Sequence, residues 1–339
     1  MKLEILSQFD KINEQEWDDL LSQSAVNVPF LTFGYQRTWW EHNGGGEWPQ
    51  AELRIITAMQ DKELVGIAPL FVSTRNGKAE IHFVGSIEIS DYLDFIVLPQ
   101  FTLEFISSLF QLIKEDKAHF PGAIQLFNIP ESSPSLEVFR EINKGDDWSI
   151  EIERAYHTPE IALSDNWDTY LAGVDKKQRH EIRRKLRRAT ESDDDVKWYI
   201  VSDKRSLEQE IADFLSLMEI DDKKKQFLTD AMRMQINAII HWAFDAGYLQ
   251  LSFLTINEEK AAGYLCFDYE GKIYVYNSGF SYDYQYYSPG WVLLSFLIQH
   301  AIETRKSHFD FLRGDENYKY KFGAIDSFVM KVKAELNHD

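Results

Sequence analysis

At 339 residues, with 44% apolar and 14% aromatic side chains, the chain is longer than one ordinary domain and holds enough hydrophobic material for two cores. A formal net charge of -19 repels nucleic acid and anionic membrane over most of the surface, and the single cysteine, Cys266, excludes an internal disulfide. The N-terminus, "MKLEILSQFDKINEQEW", lacks a basic start followed by an apolar core, and no apolar run reaches bilayer length, so a soluble, cytoplasmic protein is expected.

In chain order, "LRIITAMQDKELVGIAPLFV" reads as strand, polar turn and a second strand entered through Gly66. A third strand is expected in "YLDFIVLP", then a helix in "TLEFISSLFQLIKED" and a short strand in "AIQLFNI". The segment from Gly145, "GDDWSIEIERAYHTPEIALSDN", reads as the crossing between halves. Next, "NWDTYLAGVDKKQRHEIRRKLRRATE" sets Trp167, Leu171, Val174, Ile182, Leu186 and Ala189 on one stripe near the 3.6 period, behind an N-cap at Ser164 to Asn166. Its Asp175–Arg188 portion holds eight Lys or Arg against Asp175 and Glu181, a basic island in an acidic protein. A further amphipathic helix, "KQFLTDAMRMQINAIIHWAFDAG", ends at a C-capping Gly247.

The second half then repeats the order of the first. "LQLSFLTINEEKAAGYLCFDY" is a strand pair entered through Gly263, and "KIYVYNSGF" a third strand, followed by the helix "WVLLSFLIQHAIETR" and the short strand "HFDFLRG". We read this as a tandem duplication of a mixed α/β unit, the alternative being two unrelated α/β units. The helix from Trp291 to Ile302 is apolar nearly all round and so belongs between a sheet and other elements. It opens on Ser288-Pro-Gly290, a bare turn whose free N–H groups would suit an anion such as phosphate, although the same turn is often purely structural. Beyond the last strand, Asp315, Glu316, Tyr318, Lys319 and Lys321 gather at the edge where α/β sheets place ligands, or form a solvated strand cap.

The layout "YSPGWVLLSFLIQHAIE", then "FDFLRGDENYK", preceded by "WDTYLAGVDKKQRHEIRRKLRR" and by "VGIAPL" far upstream, resembles the CelD-like branch of the GNAT acyltransferase superfamily. It is also similar to the FemABX peptidyl transferases, built from two GNAT units. The resemblance covers nearly the whole chain. It implies an α/β fold with mixed sheets: a first GNAT-like domain over 1–155, completed by a returning strand at 326–336 ("SFVMKVKAEL"), and a second over 156–325 that carries the donor site. It implies a V-shaped opening where the backbone near Ser288, Gly290 and Trp291 receives the pyrophosphate of acyl-CoA. The usual loop has a second small residue after the glycine, and here Trp291 and Val292 follow instead. "YKYKFG" matches the Phe-Lys-x-x-Phe-Gly motif of FemABX enzymes, with Lys319 as the motif lysine and Tyr318 in place of the first phenylalanine.

Acyl transfer from a thioester to an amine needs a neutral nucleophile, a place for oxyanion charge and a proton for the leaving thiolate. We assign the amine proton to Asp315 or Glu316, with Asp310 behind. The oxyanion or an acceptor phosphate goes to Lys319, and thiolate protonation to Tyr318 or Tyr287. Asp91 and Asp94 in "SDYLDF", with Tyr287 and Arg313, are the substrate-binding candidates; for the two aspartates structural capping is the alternative. Arg184 stands for the island's reach toward donor phosphates, those of coenzyme A, a nucleotide-linked sugar or tRNA; an ordinary solvated helix face is the alternative. His300 and His308 lack metal-ligand spacing, so no metal is expected. Cys266 reads as core, and "NGGGEW" at Asn43 as a flexible loop. The expected donor is acyl-CoA and the acceptor an amine of a small molecule, sugar or cell-envelope precursor. Aminoacyl-tRNA is the rival donor, disfavoured by the net charge, and a non-catalytic ligand-binding protein is the second rival.

Overall fold

The structure, a computed structural model, describes residues 1–75 and 77–337. They form two compact units, Met1–Tyr156 with the stretch from Phe328 onward, and His157–Ser327. None of the described helices is long and apolar enough to cross a membrane.

The first unit runs β1 (Lys2–Leu6), α1 (Glu14–Ser22), α2 (Phe33–Glu41), a helical turn α3 (Asn43–Gly46), β2 (Ala51–Gln60), β3 (Glu63–Arg75), β4 (Lys78–Phe83), β5 (Ile96–Val97), α4 (Thr102–Glu115), β6 (Ala123–Pro130), α5 (Ser135–Ile142) and β7 (Trp148–His157). Its sheet has the order β1-β2-β3-β4-β6-β14-β7, with β5 against β3; β14 (Phe328–Leu336) returns from the chain end to pair antiparallel with β6. Gly66 in β3 leaves room for the Phe105 ring of α4, which a Cβ there would meet at 2.9 Å.

The third strand of this half is β4, not "YLDFIVLP", of which only Ile96–Val97 is strand. The reason is local. Between β4 and β6, which pair at Ile81↔Ile124, residues 84–95 are pinned by side chains rather than by a ladder. Tyr35 OH donates to Ile89 C=O, Asn128 Nδ2 to Ser90 C=O at 2.7 Å, and Leu93 N–H to Asn128 C=O at 2.9 Å. Asp94, 1% exposed, accepts from Phe95 N–H at 2.8 Å, from Ser135 Oγ at 2.7 Å and from Ser133 Oγ. Three charge-assisted bonds to one carboxylate hold the bend, so this residue is built into the fold.

The second unit follows with β8 (Glu160–Ala162), α6 (Trp167–Gly173), α7 (Lys176–Thr190), β9 (Val196–Ile200), α8 (Leu207–Met218), α9 (Asp222–Phe227), α10 (Asp230–Asp245), β10 (Leu249–Ile256), β11 (Glu259–Tyr269), β12 (Lys272–Phe280), α11 (Pro289–Glu303), β13 (His308–Asp310) and α12 (Asn317–Lys321). Its sheet has the order β8-β13-β12-β11-β10-β9, antiparallel except for the parallel β12/β13 pair. The single helix expected over Asn166–Glu191 is broken into α6 and α7. Val174 is extended, and Asp175 caps a new N-terminus by accepting from Lys177 and Gln178 N–H, a local bond that competes with helix continuation.

Helix α11 is the centre of this unit. Val292, Leu293, Leu294, Leu297, Ile298, Ala301 and Ile302 are buried among β10, β11, β12, α6 and α7. At roughly 1.5–3 kcal/mol per large apolar side chain, this burial fixes the helix position. On the opposite face of β12, the end of α8 comes so near that a Cβ on Gly279 would lie 2.5 Å from the Leu217 carbonyl carbon and 2.6 Å from Met218 N.

Two stability outcomes follow from these contacts. Gly279→Ala must push helix backbone away from β12, and urea unfolding should read a loss of about 1–3 kcal/mol. Burial raises the Asp94 pKa from 3.8 to about 6, with Ser133 and Ser135 acting against the shift. A raised carboxyl pKa gives stability that is complete below pH 3.8 and lost as pH rises through about 6. Measured against Asp94→Asn, which does not titrate, the wild type should therefore lose ground across that window, by up to about 3 kcal/mol at about 1.4 per pKa unit. A difference that stays flat from pH 4 to pH 7 (about the window's span) contradicts the assignment.

Candidate functional site

The site begins where two strands part. β12 pairs with β13 only from Lys272 to Tyr274, opposite His308 to Asp310, and then continues to Phe280 bonded on its β11 side. A bulge at Tyr276, skipped between Cys266↔Val275 and Leu265↔Asn277, bends the strand at the point of divergence. Past Asp310 the chain turns away through left-handed Leu312 (φ 56°) and Gly314 (φ 115°) into α12.

Past Phe280 the chain turns through Ser281–Tyr287 and enters α11 at Ser288, itself left-handed at φ 55° and ψ 57°. The entrance is thinner in donors than the sequence suggests. Pro289 has no N–H, and Trp291 and Val292 N–H both go to Ser288 C=O, at 3.0 and 3.1 Å. Gly290 N–H is left without a partner among the described residues. Beside Gly290 lies the Phe280 ring, 3.3 Å from where a Cβ would stand and 42% exposed. Phe280 thus borders the entrance without sealing it, and a pocket of ≈ 410 Å³ opens over the turn.

Its walls come from five elements: Tyr264 of β11, Ser278 of β12, Trp291 and Leu294 of α11, Tyr318 of α12 and Lys185 of α7, with Phe322 just beyond α12. Tyr170 OH donates to Phe322 C=O at 2.7 Å and so ties α6 to this wall. The Trp291 ring stands 4.7 Å from Phe322 and under Lys185, whose ammonium lies 3.9 Å from its centroid. Trp291 Nε1 is buried with no partner among the described residues. Lys185 is 16% exposed; loss of hydration depresses its pKa, Glu181 at 3.8 Å opposes that shift, and Arg184 and Lys321 add to it. Burial raises the pKa of both Tyr264 and Tyr318, so these phenols keep their protons at neutral pH.

Ser288, Gly290, Trp291 and Tyr318 therefore share one pocket. The other candidates stand elsewhere. Lys319, 3% exposed, donates to the carbonyls of Arg313 (2.8 Å) and Gly314 (3.0 Å) and to Glu316 Oε2 at 2.9 Å. Its three N–H directions are thus taken, and it clasps the turn after β13 rather than facing the pocket. Asp310 is buried and accepts from Leu312 N–H at 2.7 Å, which holds the start of that turn. Arg313 enters through its carbonyl. Glu316 has its carboxylate 58% exposed beside Lys319, and Asp315 is exposed. Arg184 is bonded to Glu181 by Nε and Nη2, and it lines a second pocket with Arg187, Arg188, Tyr286 and Tyr287. Tyr287 OH donates there to Asp194. Asp91 and Asp94 belong to the first unit, both buried.

Two lysines escaped the sequence reading. Lys185 sits three residues after the buried Ile182, at the margin of the apolar stripe of α7, which marked it as the island's half-buried cation. Lys224 stands within "DDKKKQ", which looks like a solvated charge run; its ammonium donates to Asn277 Oδ1 at 3.0 Å and to Ser278 C=O on the bent part of β12. Burial lowers its pKa against the attraction of Asp221 and Glu316. Among the described residues no group of three His, Cys, Asp or Glu is placed to hold a metal.

Residues 176–320 match the family model of the acetyltransferase (GNAT) domain. No curated protein matches the chain in sequence. Among solved structures it is similar to FemX, at 15% identity over 98% of this chain and 97% of that one, with a TM-score of 0.68. It is similar to L-PGS from Bacillus licheniformis (10% identity, 96% and 93% covered, TM-score 0.57). It is also similar to a tandem GNAT protein from the clavulanic acid biosynthesis pathway (11% identity, 100% and 99% covered, TM-score 0.54). At such identities the likeness is one of fold alone, and it spans both units: the chain shares the overall fold of FemX and of the tandem GNAT protein, and residues 176–320 in its second unit match the GNAT domain.

Proposed function

We propose that the second unit is an N-acyltransferase that takes its acyl group from acyl-CoA and passes it to an amine of a small molecule, sugar or cell-envelope precursor. The observation that carries the reading is the open pocket at the parting of β12 and β13, directly over the α11 entrance. A thioester arm laid there has its phosphates beside Gly290 N–H and the Lys185 ammonium. The cation compensates for the amides that Pro289 and Ser288 C=O withdraw. Trp291, in place of a second small residue, is the ring on which that cation rests.

In the transfer the amine nitrogen attacks the thioester carbonyl, the C–N bond forms, the C–S bond breaks, and the thiolate takes a proton. Tyr318 is the donor of that proton. It lines the pocket, and its raised pKa keeps it protonated until a strong base appears beside it. Glu316 does not line the pocket, but it is the N-cap residue of α12, two residues before the pocket-lining Tyr318, and its exposed carboxylate takes the amine proton through water, with Asp315 next to it in the chain. Lys319 contributes by clasping the turn that presents both. An aminoacyl-tRNA donor is the second reading, favoured by the basic face of α7 and opposed by the net charge of -19.

Acetyl-CoA should raise the melting temperature of the protein, by about 2.7 kcal/mol of linkage at roughly 100 times Kd, while uncharged tRNA leaves it unchanged. Stabilisation by tRNA with none from acetyl-CoA overturns the donor assignment. Lys185→Ala should weaken CoA binding about tenfold, the worth of one charge-assisted contact. Because desolvation depresses the Lys185 pKa, its share of anion affinity should fade as pH rises, earlier than for a fully hydrated lysine, and Lys185→Arg should abolish that dependence. In a screen of amines read by free-thiol release, Tyr318→Phe should lower turnover about 10²-fold or more with CoA affinity intact. Equal turnover removes Tyr318 as the acid.

A further inference from the structure

Acyl transfer needs a donor for the oxygen that becomes negative when the amine adds, and the groups best placed by type to supply one are spent elsewhere. Lys319 gives its ammonium to the carbonyls of Arg313 and Gly314 and to Glu316. On β12, past its pairing with β13, Ser278 N–H donates to Asn277 Oδ1 at 2.9 Å, and Ser278 C=O is taken by the Lys224 ammonium. Gly290 N–H and the Lys185 ammonium stand at the α11 entrance, where the phosphates go.

One polar group of the pocket has no such commitment. Tyr264 stands in β11 opposite Ser278 of β12, and it lines the pocket over α11 while only 5% exposed. Its hydroxyl makes no hydrogen bond among the described residues. Unlike Trp291 Nε1 it is not sealed off, so it opens into the cavity. A buried hydroxyl without a partner is costly to a fold, and it is kept where something outside the chain completes it.

The neighbours of Tyr264 leave its proton in place. Burial raises its pKa well above 10, and the charge of an ionised Tyr318 would raise it further. Cys266, two residues along the same face of β11, is a buried thiol whose pKa burial also pushes up, so it is no anion that could draw the phenol inward. The influence of Tyr318 also makes the two phenols near neighbours in the same pocket. Sulfur and oxygen of a thioester share one carbon, so the acid that protonates the sulfur and the donor that holds the oxygen must stand side by side.

We infer that Tyr264 is a further catalytic residue, the hydrogen-bond donor to the thioester oxygen. As the amine nitrogen bonds to the carbonyl carbon, the C=O π pair moves onto oxygen, and Tyr264 O–H donates to that oxygen without giving up its proton. The pair then returns to re-form C=O as the C–S bond breaks. The thiolate takes the Tyr318 proton, and Glu316 passes the amine proton back to the Tyr318 phenolate through water. The inference rests on acyl-CoA being the donor, and its test separates the two ideas.

Acetyl-CoA isotope-labelled at the thioester carbonyl is bound to wild type and to Tyr264→Phe, and isotope-edited infrared difference spectra record the carbonyl stretch. Affinity is measured calorimetrically, and both proteins are melted without ligand under circular dichroism. The stretch should lie at lower frequency in the wild type than in the variant. Affinity should change no more than about threefold, because the bond strengthens only as charge develops on the oxygen. Removing the hydroxyl should leave the ligand-free melting temperature unchanged or raise it, since no internal bond is lost. A lower melting temperature, or a variant that does not fold, means that the hydroxyl serves the fold and overturns the inference. Equal carbonyl frequencies with acetyl-CoA bound to both proteins overturn it too and leave the acyl-CoA donor standing. Binding lost in the variant alone makes Tyr264 a ground-state contact and overturns its catalytic role. Acetyl-CoA that binds neither protein overturns the donor and the inference together.

Discussion

The divergence of β12 from β13 is the constraint on which the rest of this molecule depends. Hydrogen bonding would zip the two parallel strands together if their backbones allowed it, and three residues of pairing show that it starts to. It stops because each strand is pulled away by something stronger. The Tyr276 bulge and the close seat of Gly279 on the α8 backbone draw β12 to one side. The Lys319 clasp, which gathers the carbonyls of Arg313 and Gly314, draws the exit of β13 to the other. The gap that results needs a floor, and α11 supplies it because its apolar surface is nearly continuous and its burial leaves no freedom to slide.

Charge is distributed around that gap by a different rule from the one the overall composition implies. A helix entrance that loses one N–H to Pro289 and two to Ser288 C=O is a weak anion site on its own dipole, since the effect depends on unsatisfied groups in the first turn. Side chains restore the positive potential. Lys185 over Trp291 does so at the entrance itself, and further arginines of the same helix line the neighbouring pocket. An ammonium resting on an indole and denied full hydration is poised to accept an anion, because pairing with one returns the solvation that burial removed. The tryptophan that departs from the usual small residue is what makes this arrangement available.

How much of this was legible beforehand follows the range of the interactions. The two-unit organisation and the apolar α11 came from periodicity and repeated element order, which are local or nearly so. Ser288, Gly290, Trp291 and Tyr318 were legible because the two ends of the α11 segment carry turn and cluster signals, and they do meet in one pocket. The orientation of Lys319 was not. A lysine in a polar cluster reads as a free cation, and nothing in "YKYKFG" says that the turn before it offers three carbonyls. Lys224 was hidden for the converse reason, since its partners Asn277 and Ser278 lie 53 and 54 residues away. The break before α7 was legible in principle, as Asp175 is a good capping residue, but the continuous apolar stripe concealed it.

The two units also show how one architecture diverges into an open and a closed form. In both, an antiparallel hairpin is followed by a third strand, a helix and a parallel partner, with a glycine of the second strand lying under an aromatic ring: Gly66 against Phe105, Gly263 against Phe214 and Phe253. In the first unit the space past the end of β4 is filled by the chain itself, through the bonds of Tyr35, Ser90, Asn128 and Asp94. Every one of those polar groups is satisfied internally, which rigidifies the loop and leaves little to offer a ligand. In the second unit the equivalent space holds the rims of aromatic rings, a tyrosine hydroxyl and a half-dehydrated ammonium, groups whose hydrogen-bonding or charge needs are only partly met from within. Filled space supports stability and unfilled space supports binding, and the molecule has assigned one to each copy of its fold.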